Sequence, residues 1–272
     1  MPVRLLGVPW DATTLGRKGA RLAPEAIRRE LARLHPFDAE GGRPLAWLAG
    51  SDLTLSEEHS DLLRVVGRAA ERGAKSDPES PLVLLGGDHA IAYAGVGALH
   101  ERFPELEVVS LDAHLDLRSL EGPPTNGNWA ERMIGTFERP LWVAGVARFA
   151  NDASLFETAK RRGVRWVSSS TIRQRGVAQA ARDLGIERLR GKDLYLTLDI
   201  DVLDQAHAPG ASAPTPDGLS VDQAGAWIEL LASTGRVRGF DVSEVNPTVD
   251  PAGITPRLAA YLLLTFLATT GR

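Results

Sequence analysis

The feature that most constrains this chain is a regular alternation of short apolar runs with amphipathic stretches. The runs Val3–Val8, Leu82–Leu85, Leu106–Leu111, Leu141–Val146, Val164–Val167, Leu194–Leu198 and Arg236–Phe240 read as strands. Between them, Pro24–Leu34, Glu57–Arg72, Ile91–Arg102, Ser154–Arg162, Val177–Leu184, Val221–Leu231 and Thr255–Leu267 read as helices. Several open with helix-start chemistry: Pro24 in a first turn, Ser56 before two glutamates, and Ser220 before Asp222. Nearly continuous apolar strands fit a parallel sheet buried on both faces, and the alternation supplies the helices that bury it. No Pro/Gly/Ser-rich linker breaks the pattern, so one α/β domain over residues 1–272 is expected.

Composition removes several function classes. The formal net charge is −4, with both signs mixed along the chain and no basic arm, so a nucleic-acid partner is not expected. There is no cysteine, which excludes disulfides, zinc–thiolate sites, iron–sulfur clusters and thiol nucleophiles together. The opening MPVRLLGVPWD lacks the pattern of a signal peptide, and no apolar run reaches membrane-spanning length. A cytoplasmic protein acting on a small molecule, with no membrane partner, is the expectation.

Four polar clusters follow predicted strands: Gly86-Gly87-Asp88-His89, Asp112-Ala113-His114-Leu115-Asp116, Asp199-Ile200-Asp201-Val202-Leu203-Asp204, and Asp241-Val242-Ser243-Glu244. In open parallel sheets, binding sites lie at this edge. The alternate spacing of Asp112, His114 and Asp116 places all three on one side of an extended chain, and Asp199 and Asp201 share that period. Carboxylates gathered this way repel unless protons or multivalent cations offset them, and the nearest cation in sequence is Arg118. Oxygen ligands mixed with imidazole, without sulfur, suit Mn²⁺ best, ahead of Mg²⁺, Co²⁺ or Zn²⁺. Two ions fit better than one, because six ligands exceed what one ion with an open position needs.

Taken singly, these residues have plainer readings. Asp88 could be a turn former or helix cap, Asp241 could merely end its strand, and His35, His59 and His100 read as structural or solvated. The combination Asp-x-His-x-Asp with Asp-x-Asp-x-x-Asp is much harder to attribute to structure alone.

In order and spacing, GGDH, DAHLD, LDIDVLD and EVNP make the chain resemble the ureohydrolase superfamily of arginases, agmatinases and formimidoylglutamases. The resemblance runs from GVPWD and GRKGARLAPEAIR to the last helix. It implies a three-layer α/β fold with an eight-stranded, mostly parallel sheet, a homo-oligomer (trimer or hexamer), and two Mn²⁺ per chain. It assigns His89, Asp112, Asp116 and Asp199 to one manganese and Asp112, His114, Asp199 and Asp201 to the other. Asp112 and Asp199 then bridge. Asp116 would also orient the attacking hydroxide, Asp204 would support its loop, and Glu244 would hold the amidine or guanidine of the substrate.

The finer motifs lean to the formimidoylglutamase branch. Where arginases and agmatinases carry a proton-shuttling histidine, this chain has Asn126-Gly127-Asn128-Trp129-Ala130. Asp116-Leu117-Arg118, the Ser212-Ala213-Pro214 turn, Ala147–Asn151 and Glu244–Pro247 resemble that branch; Asn126–Trp129 and Gln205 depart from it. The implied reaction is hydrolysis of N-formimino-L-glutamate to glutamate and formamide. Its carboxylates would be met by Arg118, Arg132 or Arg148, with Asn128 as a further substrate contact. The alternatives are a urea-releasing guanidino hydrolase and a metal-binding family member with weak or regulatory activity.

Overall fold

The protein is described by a computed structural model covering residues 3–270. Met1, Pro2, Gly271 and Arg272, part of the expected 1–272 domain, lie outside the described residues. In chain order the strands are β1 (Val3–Gly7), β2 (Phe37–Asp38), β3 (Arg43–Pro44), β4 (Trp47–Asp52), β5 (Leu82–Leu85), β6 (Glu107–Leu111), β7 (Leu141–Val146), β8 (Arg165–Ser168), β9 (Asp193–Asp199) and β10 (Arg236–Ser243). The helices are α1 (Ala23–Leu31), α2 (His59–Ser76), α3 (Ala90–Leu99), α4 (Trp129–Phe137), α5 (Ala153–Arg162), α6 (Ser169–Arg175), α7 (Val177–Leu184), α8 (Val221–Thr234) and α9 (Ile254–Thr270).

Eight strands form one sheet in the order β4-β1-β5-β10-β9-β6-β7-β8, and every pairing in it is parallel. The pleat sends Leu5, Val83, Leu85, Val109 and Leu111 to one face, against α1 and α6–α9. Leu6, Leu82, Leu84 and Val108 go to the other, against α2–α5. Each fully buried aliphatic side chain here contributes roughly 1.5–3 kcal/mol relative to exposure. The three-layer expectation therefore holds.

Within the sheet, the four motif-bearing strands β5, β10, β9 and β6 are contiguous, so their C-terminal ends form one short rim. Seven of the eight strands coincide with apolar runs in the sequence. The eighth, β4, escaped because its WLAGSD sequence is neither continuous nor alternating and no residue in it is buried. It sits at the sheet edge, where only β1 pairs with it. Strand β10 runs on to Ser243, so Asp241 lies inside it rather than ending it. Ser220 caps α8 by accepting the Gln223 N–H, whereas α2 begins after Ser56, at His59.

Candidate active site

Each motif is aimed at the rim by a local device. After β5 the chain turns through Gly86 and Gly87, both at positive φ (66° and 115°). A side chain on Gly87 would run into Ile91 and the Val8 carbonyl, so only glycine allows this approach. The turn delivers His89 to the start of α3, almost fully buried. After β6 the Asp112 carboxylate accepts the His114 N–H at 2.6 Å. After β9 the chain enters a single 3-10 turn, Ile200–Val202, in which Asp199 accepts the Asp201 N–H at 2.9 Å. The structure thus brings these side chains together, but by a geometry other than the expected alternation along a strand. Both strands end before or at the first aspartate, and short turns converge the rest.

Two groups of potential metal ligands result: His89 with Asp112 and Asp199, and Asp112 with His114 and Asp201. Asp112 is common to both. His89 Nδ1 lies 3.2 Å from Asp112 Oδ2, 3.1 Å from Asp116 Oδ2 and 3.1 Å from Asp199 Oδ2. His114 Nδ1 is 3.0 Å from Asp201 Oδ2. Buried His89 Nδ1 has no hydrogen-bond partner although three carboxylates surround it. A nitrogen lone pair facing three anionic oxygens is the donor set of a hard divalent cation, so these residues fit the expected ions.

Glu244 follows β10 at φ 61°, and Asp116 sits at φ 51°. Such left-handed conformations of non-glycine residues store about 1–3 kcal/mol of strain each. Glu244 Oε1 accepts the His89 N–H at 2.7 Å and the Asn126 amide at 2.9 Å. Its other oxygen, Oε2, is buried without a partner. Glu244, Asp116, His114, Asp199 and Asp201 all line one cavity, whose lip is Leu15, Gly16, Arg118, Asn126 and Gly127. Asp88 is more than a cap. It accepts the Ala90 N–H but also the N–H and hydroxyl of Thr13, clamping the lip loop to the rim.

Of the expected substrate residues, Arg118 reaches this cavity and Asn128 does not. Buried Asn128 is spent within its own loop: its oxygen accepts the Thr125 N–H and the Arg132 guanidinium, and its amide donates to the Ser119 carbonyl. Arg148 lies over the ring of Phe149, 4.8 Å from its centroid, and does not line the cavity. Arg132 is likewise used on Asn128 and the Gly122 carbonyl. Asn126 and Trp129 were not singled out from sequence. Trp129 donates its indole N–H to Asp116 Oδ2 at 2.8 Å and packs beside the His89 ring. Their signal was present in the Asn126–Trp129 stretch, but which of two asparagines faces the site is set by the turn, not by residue type.

Electrostatics show the strain of the packed acids. Burial pushes Asp199 well above the usual carboxylate range, and Asp201 and Asp112 push it further. Burial also raises Asp116 and Glu244. Burial and the Glu244 charge raise Asp88 to about 7. Burial opposes the charge on His89, yet the facing Asp112, Asp116 and Asp199 raise it well above its ordinary value. The Asp201 carboxylate pushes His114 up to about 12. Asp112 is the exception: burial opposes its charge, but the two imidazoles hold it low.

Raised values carry one sign for carboxyl and imidazole alike. Stability they lend at low pH is lost as pH rises through the folded-state values. Without cations the fold should therefore weaken as pH rises from the ordinary carboxylate range through about 7, where Asp88 titrates, and further from 6.5 toward about 12 on account of His114. Asp112 acts in the opposite sense, but only at acidity below this window. Chelation of manganese-loaded protein is expected to lower Tm by about 5–10 °C at pH 7.5 and by distinctly less at pH 5.5. Calorimetry checks this; equal shifts at both values would mean that the acids do not repel one another as packed.

A sheet of eight parallel strands carries, on its central rim, two acid–imidazole groups able to hold a hard cation, beside a cavity. The sequence matches the arginase family over residues 1–268, and the chain belongs to that family. It is 37% identical over 273 residues to the formimidoylglutamase of Halobacterium salinarum, covering 97% of this chain and 86% of that protein. The crystal structure of formimidoylglutamase from Bacillus subtilis superposes with a TM-score of 0.91 at 27% identity, over 99% of this chain and 87% of that one. The Trypanosoma cruzi formiminoglutamase, solved with Mn²⁺, gives a TM-score of 0.85 at 25% identity over 97% and 92% of the two chains.

Proposed function

We propose that residues 1–272 act as one catalytic unit, a two-manganese hydrolase that cleaves N-formimino-L-glutamate to glutamate and formamide. The observation that carries this is Glu244 Oε2, a buried carboxylate oxygen with no hydrogen-bond partner, on a residue that lines the cavity beside the ligand groups. A cationic amidine supplies the N–H donors that such an acceptor requires, through charge-assisted hydrogen bonds. The names of the relatives support the same reading.

In this reading His89, Asp112, Asp116 and Asp199 hold one Mn²⁺, and Asp112, His114, Asp199 and Asp201 hold the other. When bound, the ion pair supplies a water-derived nucleophile at neutral pH and stabilises developing negative charge. Glu244 orients the amidine, and the His89 N–H and the Asn126 amide fix the Glu244 carboxylate through its other oxygen. The oxygen from water ends in formamide, the bond from the formimino carbon to the glutamate nitrogen breaks, and that nitrogen takes a proton. Asp116, whose Oδ2 accepts the Trp129 indole N–H, is the residue placed to pass a proton from the attacking water to that nitrogen.

Arg118 lies on the lip next to Gly127 and meets a glutamate carboxylate there. Arg118→Ala is expected to raise KM for formiminoglutamate about 5–10-fold, with both manganese ions retained. Side-by-side assays of formiminoglutamate, arginine and agmatine, scoring formamide against urea, test the whole reading. Faster turnover of either guanidino compound promotes urea release instead. No turnover of all three leaves a metal-binding family member with a regulatory role. No helix among the described residues is long and apolar enough to cross a membrane, and a homo-oligomer working in the cytoplasm belongs to the same proposal.

A further inference from the structure

Behind the ligand groups, on β9 and β10, three buried side chains form a hydrogen-bonded chain that ends on His89. Tyr195 donates its hydroxyl to Asp241 Oδ2 at 2.7 Å, and Thr197 donates its hydroxyl to Asp241 Oδ1 at 2.7 Å. His89 Nε2 lies 2.9 Å from the Thr197 oxygen. Strand register sets this up, since Thr197 and Asp241 are directly paired neighbours. Tyr195, Thr197 and Asp241 are all fully buried, so no water competes.

The direction of each bond is forced. A carboxylate only accepts, so both hydroxyl protons go to Asp241. With its single proton committed, Thr197 can only accept from His89. Nε2 must then carry a proton, so Nδ1, which faces Asp112, Asp116 and Asp199, is the nitrogen available to a cation. The packing around this chain gives independent support. Gly95 in α3 and Gly239 in β10 lie against the Tyr195 ring, and a Cβ on Gly95 would overlap the Tyr195 hydroxyl itself. Glycine in a helix interior costs about 1 kcal/mol relative to alanine. Here it is the residue that lets the hydroxyl reach Asp241.

We propose that Tyr195, Thr197 and Asp241 are positioning residues that lock His89 in the tautomer and orientation presenting Nδ1 to a divalent cation, and so set the affinity of the ion held by His89. The proposal rests on the two-ion reading of the site but not on which amidine is cut. Partners that fix a ligating imidazole typically change metal affinity by about 10–100-fold.

The test is a Mn²⁺ titration of metal-stripped protein, counting free ion by electron paramagnetic resonance. Thr197→Val keeps the side-chain shape and removes the acceptor; it is expected to weaken one of the two ions about 10–100-fold and leave the other within about threefold. Thr197→Ser should restore the wild-type titration. Tyr195→Phe, which removes one hydroxyl two bonds further away, should weaken the same ion less and serves if the valine variant does not fold. Wild-type affinity for both ions in Thr197→Val, or in Tyr195→Phe where only that variant folds, overturns the proposal. So does equal weakening of both ions, which would indicate general loosening. Failure of the wild-type protein itself to bind Mn²⁺ would instead reject the two-ion reading.

Discussion

Asp112→Ala is expected to abolish binding of both manganese ions and to lower turnover on the order of 10⁴-fold or more. Asp112 is the residue common to the two ligand groups, with one oxygen 3.2 Å from His89 Nδ1 and the other 3.7 Å from His114 Nδ1. Its loss removes a charge from both groups at once. It also leaves both imidazoles with fewer anions to offset a cation. Asp199→Ala, which empties the second expected bridging position, should likewise lose the ions. Elemental analysis of loaded, desalted protein checks both variants; full metal content in Asp112→Ala would remove the basis for a shared site.

Glu244→Gln should damage catalysis less severely while leaving the ions in place. The two donors to Oε1, from the His89 N–H and the Asn126 amide, will hold the glutamine oxygen in that position. The glutamine NH₂ must then take the place of Oε2, in the cavity, where it meets the N–H groups of the amidine. One charge-assisted acceptor becomes a donor facing donors. A lost hydrogen bond to a charged group accounts for about 1.5–3 kcal/mol, and the unmatched donors add to it. A fall in kcat/KM of roughly 10²–10³-fold is expected, with two manganese ions still bound. Near-normal kcat/KM would show that the substrate's cationic head binds elsewhere.

The sequence made the central rim legible because β5, β6, β9 and β10 are buried on both faces and end in acid-rich motifs. Edges and short elements were less so. β4 exposes most of its surface, so nothing imposes a pattern on it. The short helix α6 buries only Ser169 and Ile172, and α4 ends on Glu138 at φ 53° rather than on a glycine, so it carries no stop signal. At the site, spacing named the metal-binding candidates but could not foresee that Asn128 turns inward to close its own loop while Asn126 faces Glu244. Nor could it foresee that Arg148 covers a phenylalanine. Side-chain direction in irregular loops is a tertiary property, decided by which backbone groups need partners.

Among the described residues, three non-glycines have positive φ: Asp116, Glu138 and Glu244. Glu138 merely closes α4, but the other two line the cavity of the proposed site. Anyone selecting this chain for heat resistance will find backbone relief on offer at all three positions, since glycine suits each conformation. Only at Glu138 is that relief free of a catalytic penalty. At Asp116 and Glu244 a sturdier molecule would be an inert one, so the route to a hardier catalyst lies away from the rim.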